Sequence, residues 1–252
     1  MKSTVLDYLL ETRNRRGAGY LVLLDPDRQD MARLEECACL CTDAGADAIL
    51  VGTSLTMLAD HGEVYKRLRQ CTGIPIITFP GSGGHITPQA DAILYLSMVS
   101  SRNPELLIGE QVRTAPLLKR CGVEVISTAY MLIDSGTLTS VQFMSNSRPI
   151  PRDKNDIAMA HALAAEYIGM RLLYLEAGSG ARRAVPDEMV TAVSQYTSLP
   201  VIVGGGIRTP ETARAKVEAG ASFIVTGQVL EDRQADAGAL VRELGAAVHF
   251  RE

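Results

Sequence analysis

Eight short apolar runs punctuate the chain, each ending in a Gly, Asp, Glu or Pro-bearing loop and followed by a more polar stretch. They are Tyr20–Leu24, Ala48–Val51, Ile74–Phe79, Ala92–Leu96, Val123–Ile126 (continuing through Thr128 toward Ile133), Leu172–Leu175, Leu199–Val203 and Phe223–Val225. Their apolar character is continuous, which suits strands buried on both faces, as in a parallel sheet. Between them Met31–Ala44, Pro104–Cys121, Ile157–Gly169, Pro186–Thr197, Thr209–Gly220 and Ala235–Val248 mix Ala and Leu with charged residues and predict helices. Pro210 in a first turn, and Gly169 and Gly220 at C-caps, mark their limits. Pro80–Asp91 is too rich in Gly and Pro for a normal crossover helix. The N-terminal stretch predicts one further amphipathic helix, with Arg13, Arg15 and Arg16 at its solvated end, where cations suit the helix dipole.

Eight strand–helix units within 252 residues predict an α/β fold, a single-domain (β/α)8 TIM barrel over 1–252 with a short N-terminal helix. The rival is an open, doubly wound sheet. Its dinucleotide fingerprint, GxGxxG after an early strand, is absent, and the glycines gather after runs six, seven and eight. In a barrel those loops form the usual phosphate site.

Composition narrows the function. Lys and Arg number 25 against 29 Asp and Glu, a net charge of −4, so no basic face for nucleic acid is expected. No apolar run reaches the length of a membrane span, and the N-terminus lacks the apolar core of a secretion signal, so a cytoplasmic protein is expected. Five cysteines (Cys37, Cys39, Cys41, Cys71, Cys121), with no CxxC pair, read as small apolar filler. His61, His85, His161 and His249 show no motif spacing and receive no role.

Three glycine clusters carry the first chemical signal: Gly178-Ser179-Gly180, Gly204-Gly205-Gly206 and Gly227-Gln228. Without Cβ atoms, backbone N–H groups approach a phosphate closely. Any one cluster could merely end a strand; three on consecutive loops predict a phosphate cup. Glu176 ends run six and points at that cup, where burial would tune it as a general base for a ligand hydroxyl. A rim salt bridge is the plainer reading. Tyr174 shares its strand face and is either a ligand contact or barrel core. Asp25, in Asp25-Pro26-Asp27, with the Ser54 hydroxyl on the neighbouring loop, is the sparse oxygen shell that Mg²⁺ prefers; the alternative is an ordinary Asp-Pro turn.

These residues sit in strings that resemble the geranylgeranylglyceryl phosphate synthases, close relatives of the bacterial heptaprenylglyceryl phosphate synthases. The strings are LLDPDR (Leu23 to Arg28), VGTS (Val51 to Ser54), FPGS (Phe79 to Ser82), SRNP (Ser101 to Pro104), TAYMLI (Thr128 to Ile133), YLEAGSG (Tyr174 to Gly180), GGGIR (Gly204 to Arg208) and TGQ (Thr226 to Gln228). The resemblance runs in order from about Asp25 to Gln228. It implies a barrel enzyme that joins a prenyl diphosphate, with geranylgeranyl expected, to the 3-hydroxyl of sn-glycerol 1-phosphate and releases pyrophosphate. It implies Mg²⁺ at Asp25 and Ser54. Glycerol phosphate would be held by Tyr174, Leu175, Glu176, Ala177, Gly178, Ser179 and Gly180, by Gly204 and Gly205, and by Gly227 and Gln228. Glu176 and Asp25 would be the catalytic pair. The chain departs from the family pattern at Ser100, where relatives often carry Asn, and at Ser127, where they often carry Pro.

A prenyl tail needs an apolar groove, and Phe79, Tyr95, Met98, Tyr130 and Met131 are its candidates, with ordinary barrel packing as the alternative. Members of this family commonly assemble, so a homo-oligomer is expected. Two other functions share a phosphate cup: a phosphosugar isomerase or lyase, with Asp25 as the opposing acid or base, and a non-catalytic phosphate-binding barrel.

Overall fold

A run that is apolar on both sides must be covered on both sides, and closing the strands into a ring achieves this. The computed structural model describes residues 4–55, 57, 60–232 and 237–251. In it β1 (Gly19–Leu24), β2 (Ala48–Val51), β3 (Ile76–Thr78), β4 (Ala92–Ser97), β5 (Glu124–Leu132), β6 (Leu172–Glu176), β7 (Val201–Gly204) and β8 (Phe223–Thr226) pair in parallel in chain order, and β8 pairs back onto β1. The expected barrel is the observed fold. Strands three and seven begin later than their apolar runs, after Pro75 and Pro200. A proline accepts but cannot donate in a ladder, and here the two carbonyls take the N–H groups of Ile49 and Leu173.

The surrounding helices are α1 (Val5–Arg16), α2 (Met31–Asp43), α3 (His61–Cys71), α4 (Glu110–Cys121), α5 (Ser140–Ser145), α6 (Asn155–Tyr167), α7 (Asp187–Tyr196), α8 (Pro210–Glu218), α9 (Gln228–Asp232) and α10 (Ala237–Val248). Three of them, α3, α5 and α9, were not anticipated. The signal for α3 was present: the Asp60 carboxylate accepts the Glu63 N–H (3.2 Å) as an N-cap, and Val64, Tyr65 and Leu68 form its buried face. The segment expected as one helix from Pro104 divides into a π-helical turn, Glu105–Gly109, and α4. Positions 235 and 236 of the last expected helix lie outside the described residues. Between β3 and β4 the described chain makes only a short 3₁₀ turn, Gly83–His85, as the Gly and Pro content of Pro80–Asp91 implied.

Side chains alternate across the barrel wall. Leu21, Leu50, Ile77, Leu94, Tyr130 and Tyr174 fill the interior. Val22, Val51, Ile93, Met131, Leu173 and Leu175 face the helices. The period of two along a strand decides which neighbour goes where.

One end of the barrel is plugged by α1. Val5, Leu6 and Leu9 cluster with the interior residues. Thr4 supplies no side-chain cap to this helix. Instead the Glu124 carboxylate, at the start of β5, accepts the N–H groups of Thr4, Val5 and Leu6 at 3.0, 2.7 and 3.2 Å. Glu124→Ala would leave those donors to water and cost about 1–2 kcal/mol, the usual worth of an N-cap. Of the three arginines expected in solvent, Arg16 is otherwise engaged: its guanidinium lies 2.8 Å from buried Asp47, which His249 also meets at 2.8 Å. Among the described residues, no helix is long and apolar enough to cross a membrane.

Candidate active site

Alternation along β6 settles where Glu176 points. Leu172 and Tyr174 face the interior, so Glu176 does too, at the carboxyl end of the strand. Asp25 follows β1 on the same parity as Leu21. Both carboxylates line a cavity of about 340 Å³ formed by the loops after the strands. Glu176 is 5% exposed. Its Oε1 accepts the Gly178 N–H at 2.5 Å, which pins the carboxylate at the cavity floor. Burial pushes its pKa up to about 7, against the opposing pull of the Gly178 N–H and the nearby Tyr174 hydroxyl. That hydroxyl stands outside hydrogen-bond geometry and is buried without a partner among the described residues. Phe79 stacks on the Tyr174 ring (centroids 5.2 Å apart, 8° between planes), and Tyr130 tilts against both.

The three glycine clusters converge on the same cavity. Ser179, Gly180, Gly205, Gly206, Gly227 and Gln228 all line it. Several of these positions have no room for a side chain, and two of them adjoin Tyr174 and Glu176. A Cβ on Gly204 would fall against the Tyr174 hydroxyl. One on Gly205 (φ +79°) would meet Glu176 Oε1 and lie 2.7 Å from the Gly178 nitrogen. The Gln228 Oε1 is buried and unpartnered among the described residues, an acceptor without a donor.

The cavity also leaves the barrel. Ile93 and Tyr95, on the outer face of β4, line it together with Gln111 and Thr114 of α4 and the Gly81–Gly83 loop. A normal crossover helix after β3 would cover that face. Its absence opens a largely apolar groove beside the carboxyl end of the strands.

Residues 10–245 match the PcrB family. The chain belongs to this family. The similar proteins include the geranylgeranylglyceryl phosphate synthase of Chitinophaga pinensis, 41% identical over 249 residues (99% of this chain and 97% of that protein). That of Thermococcus kodakarensis is 46% identical over 216 residues, 84% of each chain. Among solved structures, the (S)-3-O-geranylgeranylglyceryl phosphate synthase of Thermoplasma acidophilum, in complex with its substrate sn-glycerol-1-phosphate, superposes with a TM-score of 0.91 at 36% identity, covering 99% of this chain and all of that one.

Within this PcrB-family barrel, the residues singled out from sequence divide by parity. Asp25, Ser54, Tyr174, Glu176, Ser179, Gly180, Gly205, Gly227 and Gln228 reach the cavity. The side chains of Leu175 and Ala177 face the helix layer, Gly178 acts through its N–H on Glu176, and Gly204 makes room for Tyr174. Of the groove candidates, Phe79, Tyr95, Met98 and Tyr130 line the cavity. Met131 does not: it is fully buried among the outer-layer residues, because on β5 it alternates with the inward Tyr130 and Leu132. Gln111, Thr114, Val141 and Met144 line the cavity without having been anticipated.

The donor set near Asp25 is sparse. Oδ1 accepts the Asp27 N–H (3.0 Å), Oδ2 lies 3.3 Å from the Arg28 Nε, and burial raises the carboxyl pKa against those contacts. Thr53 and Ser54 bring hydroxyls to the same cavity. Among the described residues, no group of three His, Cys, Asp or Glu side chains could enclose a metal. One carboxylate with hydroxyls fits a hard cation that draws its other ligands from water and substrate phosphates, as Mg²⁺ does.

Proposed function

We infer that this protein is a prenyltransferase of ether-lipid biosynthesis, joining geranylgeranyl diphosphate to the 3-hydroxyl of sn-glycerol 1-phosphate and releasing pyrophosphate. The observation that carries the reading is Glu176, a buried carboxylate with a pKa of about 7, fixed between a glycine-lined anion cup and an apolar groove. The Ser179–Gly180, Gly205–Gly206 and Gly227–Gln228 loops hold the phosphate. Glu176 then faces the far end of so small a ligand, its hydroxyl. It takes the hydroxyl proton as the oxygen attacks C1 of the donor. The new C–O bond forms as the C1–O bond to diphosphate breaks, and the leaving pyrophosphate carries off that electron pair.

Asp25 and Ser54 would hold Mg²⁺, which supplies positive charge against the diphosphate when bound. The apolar groove takes the tail. Burying a C20 chain is worth on the order of 10 kcal/mol of gross hydrophobic free energy. A phosphosugar isomerase or lyase would have no use for such a groove. The test is incubation with radiolabelled sn-glycerol 1-phosphate and prenyl diphosphates of several lengths. Label in the organic phase is expected, strongest with the C20 donor. No lipid product with any donor would overturn the reading.

A further inference from the structure

The third crossover has no α-helix, only the 3₁₀ turn Gly83–His85, so its loop must be held by other means. Gly81, Ser82 and Gly83 of that loop line the groove. The Gly81 N–H donates to His85 Nδ1 (3.0 Å), and the Gly84 N–H donates to the Ser82 Oγ (3.3 Å). The His85 ring is 1% exposed and stacks on His61, the first residue of α3, with centroids 4.2 Å apart and planes 28° from parallel. Both ring nitrogens of His61 are buried and unpartnered among the described residues. What His61 presents to His85 is the flat face of its ring. The loop also meets α4, where a Cβ on Gly83 would lie 2.8 Å from Thr114 Cγ2. The loop is thus held by α3, through two histidines, and by α4.

The clamp requires neutral rings. Two stacked imidazolium ions would repel, and a protonated Nδ1 could not accept from Gly81. Burial lowers the pKa of both rings, that of His85 to about 4. Neither histidine lines the cavity.

We propose that His85, stacked on His61, is a positioning residue that holds the Gly81–Gly83 wall of the groove in the shape that receives the prenyl chain. The proposal rests on the prenyltransferase reading for its substrate, but its mechanical content does not. His85→Ala is expected to raise KM for geranylgeranyl diphosphate about tenfold or more, leaving KM for glycerol phosphate within about twofold. His85→Asn, whose amide oxygen can accept the Gly81 N–H, should recover most of that loss. His61→Phe keeps a flat ring and should resemble wild type, whereas His61→Ala should follow His85→Ala. Hydrogen exchange of the amides at 81–86 gives a readout free of substrate. It should quicken about tenfold in His85→Ala and return toward wild type in His85→Asn. An unchanged donor KM together with unchanged exchange would overturn the proposal. So would equal losses on both substrates that Asn does not rescue. A wild-type protein that makes no prenyl product would instead overturn the transferase reading, while exchange at 81–86 would still decide the clamp.

Discussion

The Gly178 N–H holds Glu176 Oε1 at 2.5 Å, so a backbone turn two residues away fixes the orientation of the one carboxylate that burial has brought to a pKa of about 7. Turnover should therefore fall as pH drops through about 7, where the base becomes protonated. Glu176→Gln should lower kcat by about 10²–10⁴-fold, the usual worth of a general base, with glycerol phosphate binding retained by calorimetry. Stability runs the other way. The folded-state pKa is raised, so the fold favours the protonated carboxyl; that contribution is complete below about pH 4.5 and is lost as pH rises through about 7. Glu176→Gln should then match wild type in unfolding free energy at pH 4.5 and exceed it at pH 8, by up to about 3 kcal/mol, with a higher melting temperature there. A variant that turns over normally, or melts lower than wild type at pH 8, would remove Glu176 from this role.

Gly205 is the next test, since its φ of +79° and its closeness to Glu176 and Gly178 both exclude a side chain. Gly205→Ala should cost about 1–3 kcal/mol of stability and weaken glycerol phosphate binding at least about tenfold. Gly73, which has open space where a Cβ would stand, is the control. Gly73→Ala should leave binding unchanged. Denaturant melts and calorimetry on the pair would settle it: equal behaviour of the two variants contradicts the cup.

Asp25, Glu110 and Glu176 put three carboxylates on the cavity, which under the proposed function would receive two phosphorylated substrates. Among the described lining residues, Arg208 is the only Lys, Arg or His. Its Nη2 donates to the Ala181 carbonyl at 2.7 Å, which ties the Gly205–Gly206 loop to the Gly178–Gly180 loop and holds the cation between them. Arg208→Met should raise KM for glycerol phosphate by about 10–100-fold and flatten its salt dependence, as expected for loss of a charge-assisted contact. Steady-state kinetics at two ionic strengths would show it. An unaltered salt dependence would mean that backbone N–H groups alone hold the anion.

What the sequence could disclose here depended on how local the cause was. Glu176 was legible because a strand's period of two fixes its direction once Tyr174 and Leu172 are assigned. The same rule places Met131 on the outer face, and it enters the groove list only when residue type is weighed without parity. The missing third helix was visible in the Gly and Pro of Pro80–Asp91. Its consequence was not, because the exposure of Ile93 and Tyr95 to Gln111 and Thr114 arises only when the barrel closes. Helices of five or six residues, such as α9 and α5, are too short to show a period. His61 and His85 stand far apart in sequence, and no spacing rule predicts that the start of α3 and the loop after β3 will stack them.

Asp25 remains, and its chemistry is separable from that of Glu176. Its carboxylate is half-buried, and its neighbours at hand are the Asp27 N–H and the Arg28 guanidinium. A cation held there would be shared with the donor's diphosphate, so its effect belongs to the leaving group, not to the hydroxyl. Asp25→Ala should therefore abolish the stimulation of turnover by Mg²⁺ and raise KM for the prenyl diphosphate. Binding of glycerol phosphate alone, measured without donor, should stay within about twofold of wild type. Asp25→Asn keeps the shape and removes the charge, and should behave like Asp25→Ala if charge is what matters. Titrating MgCl₂ against initial rate for wild type and both variants makes the comparison. Mg²⁺-stimulated turnover that survives in Asp25→Ala would place the cation elsewhere.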